Sequence, residues 1–69
     1  MITQEQIKAG RAMLGWSQAK LAEVAGMTRE SVARIEAGKV DPRTSSILRI
    51  KNAMESAGLV FVDNGVRLP

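Results

Sequence analysis

The sequence has no cysteine and no histidine. With them go disulfide frameworks, thiol nucleophiles, imidazole bases and nearly every zinc or haem site. Its longest apolar run, Leu59 to Val62, falls far short of the roughly 20 residues a membrane span needs. The opening MITQEQIK lacks the apolar core of a secretory signal. These absences predict a cytoplasmic chain with no membrane partner. Acidic residues are scattered, so none of their groups has metal-ligand spacing, and no glycine-rich loop fits a nucleotide phosphate. No metal, no cofactor and no catalytic residue is expected. Internal repeats, low-complexity tracts and flexible linkers are missing too, which makes residues 1–69 a single domain.

What is present suits a small soluble fold: 45% of the 69 residues are hydrophobic and 25% charged. A domain of this size buries only about 60% of its unfolded surface. That leaves little core to support a deep catalytic cleft, so binding outranks catalysis. The net charge of +3 suits a polyanionic partner, and where the cations sit matters more than their total.

Residues 3 to 14 carry a helical pattern. Ile7, Arg11 and Leu14 share a stripe, Thr3 and Gln6 have capping-box spacing, and Gly15 ends the run. Ser17 caps a second helix that buries Leu21, Ala22 and Ala25 and stops at Gly26. Thr28 caps a third, which buries Val32 and Ile35 before Gly38. Three apolar pairs, Ile2 with Ile7, Trp16 with Leu21 and Met27 with Val32, have the spacing of hydrophobic staples across these starts. After a loop containing Asp41-Pro42, a fourth helix starts near Thr44 to Ser46. Its stripe is Ile47, Ile50, Met54 and Ala57, with Arg49, Lys51 and Glu55 toward solvent and Gly58 as C-cap.

From Leu59 the period changes. Apolar residues flank Asn64-Gly65, a two-residue hairpin signal because both turn positions favour positive φ. The spacing predicts a β-hairpin over 59–68, with Phe61 opposite Leu68 and Asp63 opposite Val66. A lone hairpin is marginal. It must pack on the helices or pair with another strand, for which a second copy of the chain is the simplest donor. The predicted fold is mainly α, a four-helix bundle with a short C-terminal β-hairpin.

Residues 17–38, SQAKLAEVAGMTRESVARIEAG, are two short capped helices separated by Ala25-Gly26-Met27, the spacing of a helix-turn-helix. Gly26 permits the turn, and Ala22 is small enough for the helices to approach. The segment resembles the lambda-repressor-like, or Xre-type, helix-turn-helix family. The family pattern runs Gln-x-x-Leu-Ala-x-x-x-Gly-apolar-Thr/Ser, then apolar, then Glu-x-Gly. Gln18, Leu21, Ala22, Gly26, Met27, Thr28, Val32, Glu36 and Gly38 match it, and Gly15-Trp16-Ser17, Pro42 and Ile47 extend the likeness over residues 3 to 57. The resemblance implies a helical bundle that binds DNA through the second helix of the motif, and repression or autoregulation of transcription. It also places Arg11 against Glu36 as a structural pair. A hairpin stands where the family usually has a fifth helix, and Ala57 to Phe61 with Gly65 to Leu68 resemble the ends of some short Xre-like regulators.

At about 100° per residue, Thr28, Val32 and Ile35 point inward. Glu30, Ala33, Arg34 and Ala37 are left outward, with Arg29 protruding from the first turn. Small Ala33 and Ala37 would let this helix sit deep in a major groove. Arg29 and Arg34 are the expected contacts to guanine edges, and Glu30 to cytosine, each bidentate pair giving about 1–3 kcal/mol of discrimination. The plainer reading makes Glu30 and Arg34 an i,i+4 ion pair worth about 0.2–0.5 kcal/mol. Against it stands Arg29, a first-turn cation opposing the helix dipole by about 0.3–1 kcal/mol. Phosphate contacts are expected from Gln18, Thr28, Ser31, Lys39 and Arg43, at helix ends and in the loop that follows, the plainer reading being that Thr28 is only a cap and that Lys39 and Arg43 are ordinary loop charges. Trp16 reads as core rather than as a platform for bases.

The function expected from these features is a sequence-specific regulator that binds double-stranded DNA in the major groove through residues 28–37. Two copies would read a palindromic operator with half-sites about 34–36 Å apart. Such a homodimer would repress by occlusion and reside with the nucleoid. The rival is a protein-interaction or antitoxin-type module whose hairpin grips a partner protein such as a toxin.

Overall fold

Four helices and an antiparallel hairpin follow one another: Gln4–Leu14 (α1), Gln18–Ala25 (α2), Arg29–Glu36 (α3), Ser45–Ser56 (α4), Val60–Val62 (β1) and Gly65–Arg67 (β2). The computed structural model describes residues 2–41 and 43–69. Pro42, one of the residues that carry the family likeness, lies outside them.

Local chemistry sets the helix boundaries. Thr3, Ser17 and Thr28 are extended, and their side chains accept the N–H groups of Gln6, Lys20 and Ser31. Gln6 Oε1 in turn accepts the Thr3 N–H at 2.8 Å, which completes the capping box. Thr44, at the head of α4, makes no such bond, and its Oγ1 is buried without a partner. The helix ends share one device. Gly15, Gly26, Gly38 and Gly58 have positive φ, and the next N–H reaches back from Trp16 to Arg11, Met27 to Ala22, Lys39 to Arg34 and Leu59 to Met54. This is the Schellman motif. Trp16, Met27 and Leu59 bury an apolar side chain in or against the core there. At the end of α3 the same positions hold Arg34 and Lys39, both exposed.

The helices converge on Ile7, Leu21, Val32, Ile50 and Met54, all fully buried, each side chain contributing about 1.5–3 kcal/mol by leaving water. Both members of every staple lie in this core or against it. Gly10 is buried in the middle of α1, where a Cβ would stand 2.7 Å from Leu59 Cδ2 and 3.1 Å from Met54 Sδ. Glycine there lets α1 approach α4 and the start of the hairpin.

Three expectations are corrected. Thr28, expected to point inward with Val32 and Ile35, is exposed, because as the extended N-cap it turns its side chain back over the first turn of α3. In α4 the buried residues are Ile47, Ile50, Met54 and Ala53, whereas Ala57, expected in the stripe, is exposed just past the helix end at Ser56. In the hairpin the turn residues are Asp63 and Asn64, and the register pairs Val60 with Arg67, Phe61 with Val66 and Val62 with Gly65. Neither Asn64 nor Gly65 takes positive φ. The physical reason lies in the faces. The expected register would set Asp63 beside Phe61 on the inner face, whereas the observed one keeps Asp63 in the exposed turn and packs Phe61 and Val66 on the core. Gln6 Nε2 fixes this choice by donating to Val62 O at 2.6 Å and Gly65 O at 3.0 Å. The hairpin therefore packs on α1 of its own chain and needs no second copy to hold it.

Candidate nucleic-acid interface

The joint between α2 and α3 is Gly26, at φ 71°. Beyond it, Val32 and Ile35 are buried with Leu21 and Ala22 of α2, so α3 has one side committed to the core. Its other side presents Arg29, Glu30, Arg34 and Ala37 exposed, with Ser31 and Ala33 half-buried between them. The three expected base-contact residues thus lie together on one open surface, and the small alanines flank them.

Of the two partners the sequence offers Glu30, the electrostatics of this face favour Arg29 over Arg34. Glu30 approaches Arg29, at 4.0 Å, and no ion pair links it to Arg34. The acidic side chain therefore offsets the cation at the positive end of the helix dipole. Among the described residues Arg34, Lys39 and Arg43 have no ion-pair partner. Ser31 and Thr28 are joined through their hydroxyls at 2.9 Å, and the Thr28 oxygen also accepts the Ser31 N–H. One hydroxyl hydrogen of the pair stays free to donate outward. Arg43 is exposed, its N–H bonded to Asp41 Oδ1 at 2.9 Å.

Behind this face lies a second, inward group of charges. Arg11 Nε and Nη2 donate to the two carboxylate oxygens of Glu36 at 2.7 and 2.9 Å, and Arg11 Nη1 donates to Trp16 O at 3.0 Å. Gln18 Nε2 adds a bond to Glu36 Oε1 at 3.1 Å. Burial alone pushes the Glu36 carboxyl up, but these hydrogen bonds and the Arg11 charge more than offset it and hold it below its ordinary value. The same contact, chiefly the hydrogen bond to Glu36, raises Arg11. The network ties α1, α2 and α3 together at one corner, so Arg11 and Glu36 are structural.

The sequence profile of the family described as Helix-turn-helix matches residues 7–57. A Bacillus subtilis (strain 168) protein, named as the uncharacterized HTH-type transcriptional regulator YgzD, is 42% identical over 50 residues, covering 72% of this chain and 76% of that relative. The chain belongs to the lambda-repressor-like helix-turn-helix family. Membership makes it a DNA-binding regulator and not an enzyme. Among the described residues, no helix of this family member is long and apolar enough to cross a membrane.

Within the family motif, Gln18 does more than its position at a helix start suggests. Its amide is partly committed to Glu36, which leaves one Nε2 hydrogen and the free backbone N–H groups of the first turn of α2 for an anion. No acidic residue occupies that turn. Gln6 and Gly10 were not singled out by sequence reasoning as hairpin clamp and close-approach site. A glutamine at capping-box spacing and a glycine inside a helical run are the signals the sequence holds, but their partners lie far along the chain.

Proposed function

We propose that the chain is a sequence-specific regulator of transcription that binds double-stranded DNA with α3 in the major groove. Arg29, Glu30 and Arg34 are its base-reading residues. The observation that carries this reading is the open face of α3, where two arginines stand over small alanines while the opposite side is fixed by the core. Gln18, Thr28, Ser31, Lys39 and Arg43 are the proposed phosphate contacts, supported by the free N–H groups at the head of α2 and by unpaired cations after α3. Phosphate contacts set the register of a protein on the duplex, and base edges supply selectivity. The end of α3 supports this division. There Arg34 and Lys39 stand exposed where the other helix ends bury an apolar side chain.

Two copies reading an inverted repeat would make the protein a homodimeric repressor that occludes a promoter, including its own. A titration of labelled duplex at several salt concentrations tests the core of the proposal. With six phosphates neutralised per dimer, log K falls against log salt with a slope of about −5. A flat response sinks it. Selection from random duplexes should then recover a palindrome, and recovery of unrelated sequences would remove the claim of sequence specificity.

A further inference from the structure

The side of α4 that does not face the core continues onto the hairpin. Leu48, the most open of the five exposed large apolar side chains among the described residues at 56%, and Val62 at 44% both lie on it. Between them Lys51 and Glu55 line a shallow cleft with Phe61, Val62 and Asp63, and Lys51 also borders the neighbouring cleft with Leu48. Residues 48, 51 and 55 are spaced three and four apart, so they form one stripe of the helix. Its charge is ordered: Lys51, near the middle of α4, lies one turn closer to the helix head than Glu55, with Asp63 beyond in the hairpin. Among the described residues none of these three makes an ion pair, and lysine before glutamate at i,i+4 is the weaker order within a helix.

A stripe that is positive toward one end and negative toward the other is complementary to itself after a half-turn. We propose that this face is the homodimer interface, with α4 packed antiparallel on α4 of a second copy. Lys51 of each copy then stands opposite Glu55 of the other. In that register Leu48 meets the end of the other α4, where Val62 and the hairpin follow. The proposal rests on the dimeric reading above and gives it a surface.

Size favours this occupant over pairing through the hairpin edge alone. A specific interface buries at least about 1,200 Å² in total, about one seventh of the 4182 Å² surface of each copy. A strand of three residues spans about 10 Å, too short an edge to supply that area, whereas α4 and the hairpin together offer a broad strip.

Sedimentation equilibrium on charge-exchanged variants tests the arrangement. Lys51→Glu sets glutamate against Glu55 of the other copy, and Glu55→Lys sets lysine against Lys51. Each alone should weaken self-association about tenfold or more. An equal mixture of the two should recover a dimer, because every contact in the mixed pair is again between opposite charges, and so should the double variant. Leu48→Arg, at the most exposed site, gives the same loss should either single variant fail to fold. A monomeric wild type overturns the proposal. So do single variants that associate like wild type, or a mixture that stays monomeric. Salt-dependent binding to a random-sequence duplex, measured on wild type in parallel, separates the two readings. If it persists without a dimer, the interface and the dimeric reading fall together while the DNA reading stands; if it is missing from a dimer that passes the exchange test, only the DNA reading is wrong.

Discussion

Among the described residues arginine meets glutamate twice, once inside and once on the open side of α3. Arg11 reaches Glu36 through two nitrogens at 2.7 and 2.9 Å, with Glu36 5% exposed. Arg29 comes no nearer than 4.0 Å to Glu30, and those side chains are 60% and 76% exposed. The residue types are identical, but the inner pair has fork geometry and further bonds to Trp16 and Gln18. An exposed pair contributes about 0–1 kcal/mol. Removing one partner of a buried one costs about 3–5 kcal/mol. The difference separates charge that the fold consumes from charge that remains for a ligand, a distinction that composition cannot make.

The hardest test of that contrast is Arg11→Met, which keeps the apolar stem and strands the Glu36 carboxylate. Urea unfolding should show a loss of about 3–5 kcal/mol, most of what a domain of this size possesses at about 0.05–0.15 kcal/mol per residue. A loss under about 0.5 kcal/mol, typical of a surface change, would erase the contrast. The pH dependence adds a sign. The folded-state pKa of Glu36 lies below its ordinary value of 4.5, so the stability it contributes is present above that value and is lost as pH falls through the folded one. Arg11→Met removes both the hydrogen bond and the charge that offset burial, so the same carboxyl moves upward. That variant should instead gain stability relative to wild type as the pH is lowered toward 4.5.

Gly26→Val acts on the joint that sets the outer face against the inner corner. Apart from its chain neighbours, nothing lies within 4 Å of a Cβ placed there, so the cost is chiefly the backbone's. A left-handed conformation costs an ordinary residue about 1–2 kcal/mol, and a β-branched one fits it poorly. Thermal unfolding should register that loss together with weakened DNA binding, since α3 pivots on this residue. A variant as stable as wild type would mean that the turn is not where φ requires glycine.

How far the sequence foretold this depends on how local each signal is. Caps at Thr3, Ser17 and Thr28 and glycine stops at Gly15, Gly26 and Gly38 are decided within a few residues, and they appear where the sequence puts them. The pairing of Arg11 with Glu36 spans 25 positions, and only the family likeness pointed to it. The hairpin register is not legible locally, because Asn64-Gly65 read as an isolated turn points to a different pairing. The decision falls to Gln6, 56 residues away from Val62, and to the need to keep Asp63 out of a packed face. Gly10 was silent for the same reason, since its neighbours Met54 and Leu59 come from elsewhere in the chain. The open face of α3 was legible from helical periodicity, yet the partner of Glu30 was not, because two arginines compete for it and side-chain conformation decides.

The smallest effect on stability should come from Arg29→Ala, and its smallness is informative. Removing this side chain takes a cation away from the positive end of α3, which favours the helix by about 0.3–1 kcal/mol, and forfeits a loose pairing with Glu30 worth no more than about 1 kcal/mol. The two nearly cancel, so the unfolding free energy should move by less than about 0.5 kcal/mol. Selectivity at one operator position should nevertheless fall by about 1–3 kcal/mol if the guanidinium reads a base edge. The salt slope should stay close to that of wild type, because a lost base contact, unlike a lost phosphate contact, releases few counterions. A variant whose stability and selectivity both fall would move Arg29 to the inner class of charges. One in which neither changes would leave it solvated on an ordinary helix surface.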